Sequence, residues 1–345
     1  MKALVTGATG FLGRRLVRQL SADGHEVRCL VRPTSDLAGL RQDINYQQTA
    51  RLEIAQGTLG RIDRSPEVLE NCDVVYHLAA ALTGPAAVLF LDNVVATRKL
   101  IDVVGRSSVK RFVLVSSLAV HGVSHLKTGD VLDETCPLDT EPHQRDAYTY
   151  SKIVQEQAAW ESHAQSRLPL VVVRPGVIYG PGRDCLTNRV GLRLGRLMLR
   201  MGGRQLLPYV HVDNCTRGLV LAGTVPGVEG QSFNLVDDNP PTGRQLLKRY
   251  QGEVGRLRVV PVAHFAIQPL SRLSEWYHHW SQGQLPAVLT RYKSRAQWLR
   301  LRYSNARAKA VLGWEPEVRF EEGLQETFVW LRAQQAANRV AAASA

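Results

Sequence analysis

Two side chains four residues apart, Tyr148 and Lys152, have the spacing to do chemistry in this 345-residue sequence. On a helix, residues at i and i+4 share one face, so a phenol and an ammonium would stand side by side. A free tyrosine titrates near ~10, too high for easy proton exchange at neutral pH. A cation in a partly dry site lowers it, each unit needing about 1.4 kcal/mol of preferential anion stabilisation. The pair therefore reads as a general acid/base, Tyr148, tuned by Lys152. Tyr150, the neighbouring phenol, has no lysine four residues on. No side chain can supply a hydride, so redox chemistry here needs a cofactor.

The opening residues suit one. Thr6-Gly7-Ala8-Thr9-Gly10-Phe11-Leu12-Gly13 stands between an apolar run and a helical pattern. Gly7 permits a tight turn, Gly10 lets a pyrophosphate approach the backbone, and Gly13 lets the helix pack closely. The helix N-terminus meets the phosphates with free N–H groups and its positive dipole end. The second apolar run ends in Leu30-Val31-Arg32, where NAD binders usually carry Asp or Glu. An arginine there pairs with a 2′-phosphate, which favours NADP(H) and leaves NAD(H) as the alternative.

The elements that must position these groups alternate. Apolar runs at 2–5, 26–31, 73–78, 111–115 and 169–173 predict strands, and helical spacing covers 12–20, 85–104 and 148–162. This pattern predicts an α/β, Rossmann-type doubly wound parallel sheet with strands buried on both faces. Residues 1–180 read as the dinucleotide-binding domain, with a return segment at 209–236. Residues 181–335 read as a smaller, mostly helical, discontinuous substrate lobe, and 336–345 as an Ala-rich tail. Within the lobe, Arg189, Arg193, Arg196 and Arg200 recur at helical spacing and predict a basic helix face, read first as solvated surface. A diphosphate, a phosphopantetheine arm and an anionic membrane are the other readings. Phe265, Leu270, Leu273, Trp276, Tyr277, Trp280 and Leu289 mix with basic residues. That segment reads as lobe core, with a substrate flap and a lipid-resting patch as alternatives.

The net charge is +12, from 43 Lys and Arg against 31 Asp and Glu, which favours anionic partners. Charge alone, without a recognition module, does not predict nucleic-acid binding. No stretch approaches ~20 apolar residues. Met1-Lys2 run straight into an apolar strand, so no signal peptide is expected and a cytoplasmic protein is. Five single cysteines and an isolated His278-His279 argue against a metal site.

With these residues in hand, the chain resembles the extended short-chain dehydrogenase/reductase superfamily, of the NAD-dependent epimerase/dehydratase type. The matches run in order: the glycine loop, Val74-Val75-Tyr76-His77-Leu78-Ala79-Ala80, Asn93 with Thr97, Val115-Ser116-Ser117 with Gly122, and Tyr148-Thr149-Tyr150-Ser151-Lys152. Arg174 to Gly180, Val210-His211-Val212-Asp213-Asn214, and Leu312-Gly313-Trp314 with Pro316 and Glu322-Gly323 follow. Arg32, Val212-Asp213-Asn214, and Pro286 with Leu289-Thr290-Arg291 ahead of Tyr303 place it nearest the 3β-hydroxysteroid dehydrogenase and dihydroflavonol reductase-like branch.

The resemblance implies that Tyr148 is the acid/base, that Lys152 also grips the nicotinamide ribose, and that Ser117 positions the substrate oxygen. It implies cofactor contacts at Gly7, Thr9, Gly10, Phe11, Leu12, Gly13, Arg32, Thr58, Leu59, Leu78, Ala79, Ala80, Tyr148, Lys152, Pro175 and Val177. Asn93 would brace the active-site helix, His77 would pack at a strand end, and Ser116 would be a structural neighbour. One departure stands out: Gly57-Thr58 replaces the family's Gly-Asp beside adenine. The implied activity is an NADP(H)-preferring oxidoreductase interconverting an alcohol and a ketone on a hydrophobic (steroid-, lipid- or polyketide-like) small molecule. The alternatives are an NAD-dependent nucleotide-sugar epimerase/dehydratase and a non-catalytic dinucleotide sensor. A homodimer and a peripheral membrane contact are compatible with the sequence.

Overall fold

A computed structural model describes residues 1–43, 52–166, 168–195, 197–201, 203–281 and 289–344; Arg196 and Pro286, singled out above, lie outside them. The first half alternates strand and helix. β1 (Lys2–Thr6), β2 (Glu26–Val31), β3 (Leu52–Gln56), β4 (Val74–His77) and β5 (Arg111–Val115) come first. They are interleaved with α1 (Phe11–Ala22), α2 (Ala38–Asp43), α3 (Ala86–Phe90) and α4 (Ala96–Val104). A single π turn, Leu91–Val95, runs α3 into α4. β6 (Val131–Leu132), the long α5 (Ala147–Ser166), β7 (Leu170–Pro175) and β8 (Val177–Tyr179) follow.

The chain then builds β9 (Gly191–Leu194), β10 (Leu197–Met201), β11 (Tyr209–His211), α6 (Val212–Thr224) and β12 (Gln231–Leu235). The main sheet has seven parallel strands in the order β12-β7-β5-β4-β1-β2-β3. Period-two alternation sorts its side chains: Ala3 and Val5 face the core under α1 and α6, while Leu4 faces Leu100, Phe112 and Leu170 on the other side. Each such large apolar side chain, fully buried, contributes about 1.5–3 kcal/mol. The order reverses beside β1, so the ends of β1 and β4 open a crevice at the topological switch point.

α7 (Gly243–Glu253), β13 (Arg258–Val262), α8 (His264–Trp280), α9 (Arg291–Trp298), β14 (Arg302–Tyr303), α10 (Ala306–Leu312) and α11 (Phe320–Ser344) complete the chain. Phe320, Leu324 and Phe328 of α11 pack with Tyr179, Tyr209 and Leu246 in a separate core. Among the described residues, no helix is long and apolar enough to cross a membrane.

The helix expected over Arg189–Arg200 is instead an antiparallel hairpin. β9 pairs with β10, Leu192 opposite Leu199 and Arg193 opposite Met198. Gly195, at φ +60, makes the reversal, a backbone that glycine adopts without strain. A Cβ on Gly191 would stand 2.2 Å from the Leu199 carbonyl oxygen, so the two strands meet only because that position is bare. Leu-Arg-Leu alternation and ladder pairing with β13 outweigh the spacing of the arginines.

The tightest helix–strand approach is also testable. A Cβ on Gly13 would lie 2.0 Å from the Gly7 carbonyl oxygen, whereas one on Gly60 would meet nothing within 4 Å. Gly13→Ala should cost about 1–3 kcal/mol in urea denaturation, the range for overpacking, while Gly60→Ala stays within about 0.5 kcal/mol of wild type. Equal stability of the two variants would contradict this packing.

Candidate active site

The crevice is floored by the glycine loop. Gly7 has φ +72, and a Cβ on it would lie 2.7 Å from the Ala79 nitrogen. The loop thus rests flat on Leu78-Ala79-Ala80 as they leave β4. Thr6 secures this contact: its hydroxyl accepts from the Ala79 N–H at 3.3 Å and shares a 2.8 Å hydrogen bond with His77 Nδ1. Gly10 caps α1 with extended backbone, no side-chain cap and no acid in the first turn. A bare, uncapped helix N-terminus, opened by Gly10 over a loop that turns at Gly7, fits the pyrophosphate of a dinucleotide.

Phe11 extends the cradle, its ring lying 5.9 Å from the Arg183 guanidinium carbon and against Gly182. Thr9 is half-buried, Leu12 packs on the core, and Gly13 is buried. At the other end, Arg32 and Thr58 are exposed just past paired strands, where the Gly57 N–H donates to the Val31 carbonyl. Leu59 packs beside them against the core. Pro175 and Val177 flank Gly176, and the Val177 N–H donates 2.6 Å to the Pro208 carbonyl.

Ser117, Tyr148 and Lys152 come together over this crevice. Ser117 ends β5 and caps a short 3-10 turn, accepting from the Ala119 N–H at 3.2 Å. Tyr148, in the first turn of α5, stands close enough to Ser117 for the serine hydroxyl to favour its charged form. Burial pushes its phenol up to about 12, against the pull of the Arg183 charge and the Ser117 hydroxyl. Lys152, one turn on, is 2% exposed. Its ammonium donates 2.8 Å to the Val115 carbonyl and also to Gln155 Oε1. Burial drops it to about 8, with Glu156 opposing the fall. The Arg183 charge thus also bears on the phenol, while the Lys152 ammonium turns toward the end of β5.

Beneath these groups lies a polar network. Gln155 donates 2.7 Å to Thr97 Oγ1, which shares a 2.8 Å hydrogen bond with His77 Nε2. Burial, helped by the Lys152 charge, takes His77 down to about 3, so it stays neutral and packs at its strand end. Asn93 sits on the π turn; its Oδ1 accepts from the Ala81 N–H at 2.7 Å. Its Nδ2 donates to the Ala81 carbonyl and, at 2.9 Å, to Ser151 on α5.

Sequence reasoning missed Glu156. Fully buried, it accepts from Arg174 Nε at 3.0 Å, Trp160 Nε1 at 3.1 Å and the Ser116 hydroxyl. Burial disfavours its charge, but Arg174 and these hydrogen bonds more than offset that and hold the carboxyl below its ordinary range. The available signal was its place four residues after Lys152, on the same helix face.

Beside Leu118 and Ala119, which follow Ser117, lies a small void of about 10 Å³ between Leu118, Val123, Leu301 and Tyr303 on one side and His121, Arg145 and Arg189 on the other. Arg145 is neutralised by Asp139 at 2.9 Å, which also accepts from the Tyr292 hydroxyl.

Residues 3–235 match the NAD dependent epimerase/dehydratase family, and the chain belongs to that family. It is an NAD(P)-dependent oxidoreductase of the extended short-chain dehydrogenase/reductase type. Among its relatives is a 4-hydroxy-2-methyl-3-oxo-4-farnesyl-3,4-dihydroquinoline-1-oxide ketoreductase of Stigmatella aurantiaca, 30% identical over 94% of this chain and 95% of that protein. A 3-beta-hydroxysteroid dehydrogenase of Mycolicibacterium neoaurum is 27% identical over 94% of this chain and 90% of its own. The solved structure of gox2253 superposes with a TM-score of 0.78 at 25% identity, covering 96% of this chain and 98% of that one.

The Glu156 cluster carries a prediction. Glu156→Gln breaks a buried ion pair and should cost about 3–5 kcal/mol at neutral pH. Because the carboxyl is depressed in the folded protein, its stabilisation is complete above its ordinary value of 4.5 and is lost as pH falls through the folded value. The gap between wild type and variant in urea midpoint should therefore narrow below about pH 4.5. A gap independent of pH would contradict the assignment.

Proposed function

We propose that the protein is an NADP(H)-preferring oxidoreductase that interconverts a ketone and an alcohol on a hydrophobic, ring-bearing small molecule. The observation that carries the proposal is the convergence of Tyr148, Ser117 and buried Lys152 at the β5 end of the crevice floored by the glycine loop. Gly7 through Gly13 would hold the pyrophosphate, Arg32 the 2′-phosphate, and Thr58 with Leu59 the adenine side. Leu78, Ala79, Ala80, Pro175 and Val177 would line the path to the nicotinamide, whose ribose Lys152 would grip. When bound, the nicotinamide supplies or accepts the hydride.

The protein's own groups handle the proton and the substrate. Ser117, next to the Tyr148 phenol, orients the substrate oxygen beside it. Tyr148 keeps its proton at neutral pH, since burial pushes it up to about 12, and a protonated phenol suits delivery to an alkoxide forming on a carbonyl. Leu118, Val123, Leu301 and Tyr303 put apolar side chains on the side of the site that follows Ser117, which supports an apolar substrate. The S. aurantiaca ketoreductase and the mycobacterial steroid enzyme, by their names, act on such molecules, which supports the same substrate class.

Two measurements test the reading. Assayed with NADPH against a panel of steroid and polycyclic ketones, the wild type should consume the cofactor, and Tyr148→Phe should lose about 10²–10⁴-fold in kcat; an undiminished variant would refute the role. NADPH should raise the melting temperature more than equimolar NADH, and Arg32→Ser should abolish that difference. A larger shift with NADH would overturn the cofactor preference.

A further inference from the structure

α8 exposes most of its aromatic and large apolar side chains. Its inner side is narrow: Ile267 packs with Met201 and Trp298, and the buried Ser271 hydroxyl meets the Ser294 hydroxyl of α9 at 2.7 Å. Its outer side carries Phe265 at 83% exposure, Leu273 and Trp276 at 60%, and Trp280 at 68%. Leu273, Trp276, Tyr277 and Trp280 recur at helical spacing on one face. The aromatic rings stack on one another, Trp276 on Trp280 with centroids 6.4 Å apart and Tyr277 on Trp280 at 5.7 Å. Contiguous aromatic surface of this kind marks an interaction site.

The surrounding charge says which. From Val254 to Arg302 the chain has eight arginines and lysines and a single acid, Glu275, and that acid is taken by Arg291 at 2.8 Å. On α8 and the neighbouring α9 themselves, Arg272, Arg291, Lys293 and Arg295 stand against that one acid. Tryptophan and tyrosine favour the boundary between headgroups and acyl chains, and arginine and lysine are drawn to anionic headgroups. A protein partner offering aromatic complementarity would not require this one-sided charge.

We propose that α8 is a docking surface for an anionic phospholipid bilayer, lying in the membrane interface with Phe265, Leu273, Trp276 and Trp280 inserted. The helix does not span the bilayer; it rests on it. Behind α8, a cavity of about 450 Å³ is lined by His264, Ile267, Gln268, Tyr292 and Leu299. α9 separates that cavity from the small void beside Leu118 and Ala119, with Ala296 on the inner side. Docking in this pose would deliver an apolar substrate from lipid to within one helix of the site. That consequence rests on the function proposed above, whereas the docking itself rests on α8 alone.

The test is co-sedimentation of the full chain with vesicles of phosphatidylcholine alone or of phosphatidylcholine mixed with phosphatidylglycerol. The protein should pellet with the anionic vesicles, much less with the neutral ones, and release at high salt. Its tryptophan emission should shift to the blue on binding. Trp276→Ser/Trp280→Ser should lower the bound fraction about tenfold while keeping the melting temperature and its rise with NADPH; if that pair fails to fold, Phe265→Ser/Leu273→Ser is the deciding variant. No pelleting with anionic vesicles, or wild-type binding by the folded variant, would overturn the proposal. So would a dimer, seen by light scattering, that the α8 substitutions convert to monomer. None of these readouts uses turnover, so failure here leaves the catalytic reading standing.

Discussion

The chemistry of this protein depends on how α5 is pinned to the sheet. Tyr148 and Lys152 belong to the helix and Ser117 to the end of β5, and neither element alone makes a site. What joins them is a set of buried polar contacts: the Ser116 hydroxyl on Glu156, Arg174 of β7 on the same carboxylate, and the Lys152 ammonium on the Val115 carbonyl. Apolar packing would let a helix slide or rotate by a fraction of a turn at small cost. Hydrogen bonds between charged groups in a dry interior do not, because a misaligned partner leaves an unsatisfied charge.

The same network explains why the side chains differ in role despite similar burial. His77, Thr97, Gln155 and Lys152 form one connected chain of hydrogen bonds. In and beside it, burial works on His77, Lys152 and Tyr148 in the same sense, against charge. His77 stays neutral, Lys152 is brought close to the pH range where it exchanges protons, and Tyr148 keeps its proton. Glu156 alone goes the other way, because Arg174 stands directly against it. Asn93 ties the loop after β4 to Ser151 on α5, and the π turn is what aims it there; such turns gather at functional sites.

Local sequence spacing made the glycine loop, the strands of the first half and the Tyr148–Lys152 face legible, since each is a relation between residues at most a few positions apart. The hairpin at β9 and β10 was not legible. Arginines three and four apart read as a helix face, and only the pairing with β13, some sixty residues on, decides for strands. Glu156 with Arg174, eighteen residues apart, and Asp139 with Tyr292, 153 apart, are meetings across the fold. Nothing in the pattern of either partner announces the other. The turn of Lys152 toward Val115 belongs to the same class: sequence places the ammonium on the right helix face, but the direction it points is set by a carbonyl thirty-seven residues earlier.

The central claim is that the glycine loop and the Tyr148–Ser117 pair converge on one bound nicotinamide. A crystal structure of the complex with NADPH tests it most directly. The account predicts the pyrophosphate on the α1 N-terminus, the Lys152 ammonium on the nicotinamide ribose, and the reactive face of the ring turned toward Tyr148 across a gap that admits a carbonyl. Density placing the nicotinamide away from Tyr148, with the ring directed out of the crevice, would contradict it.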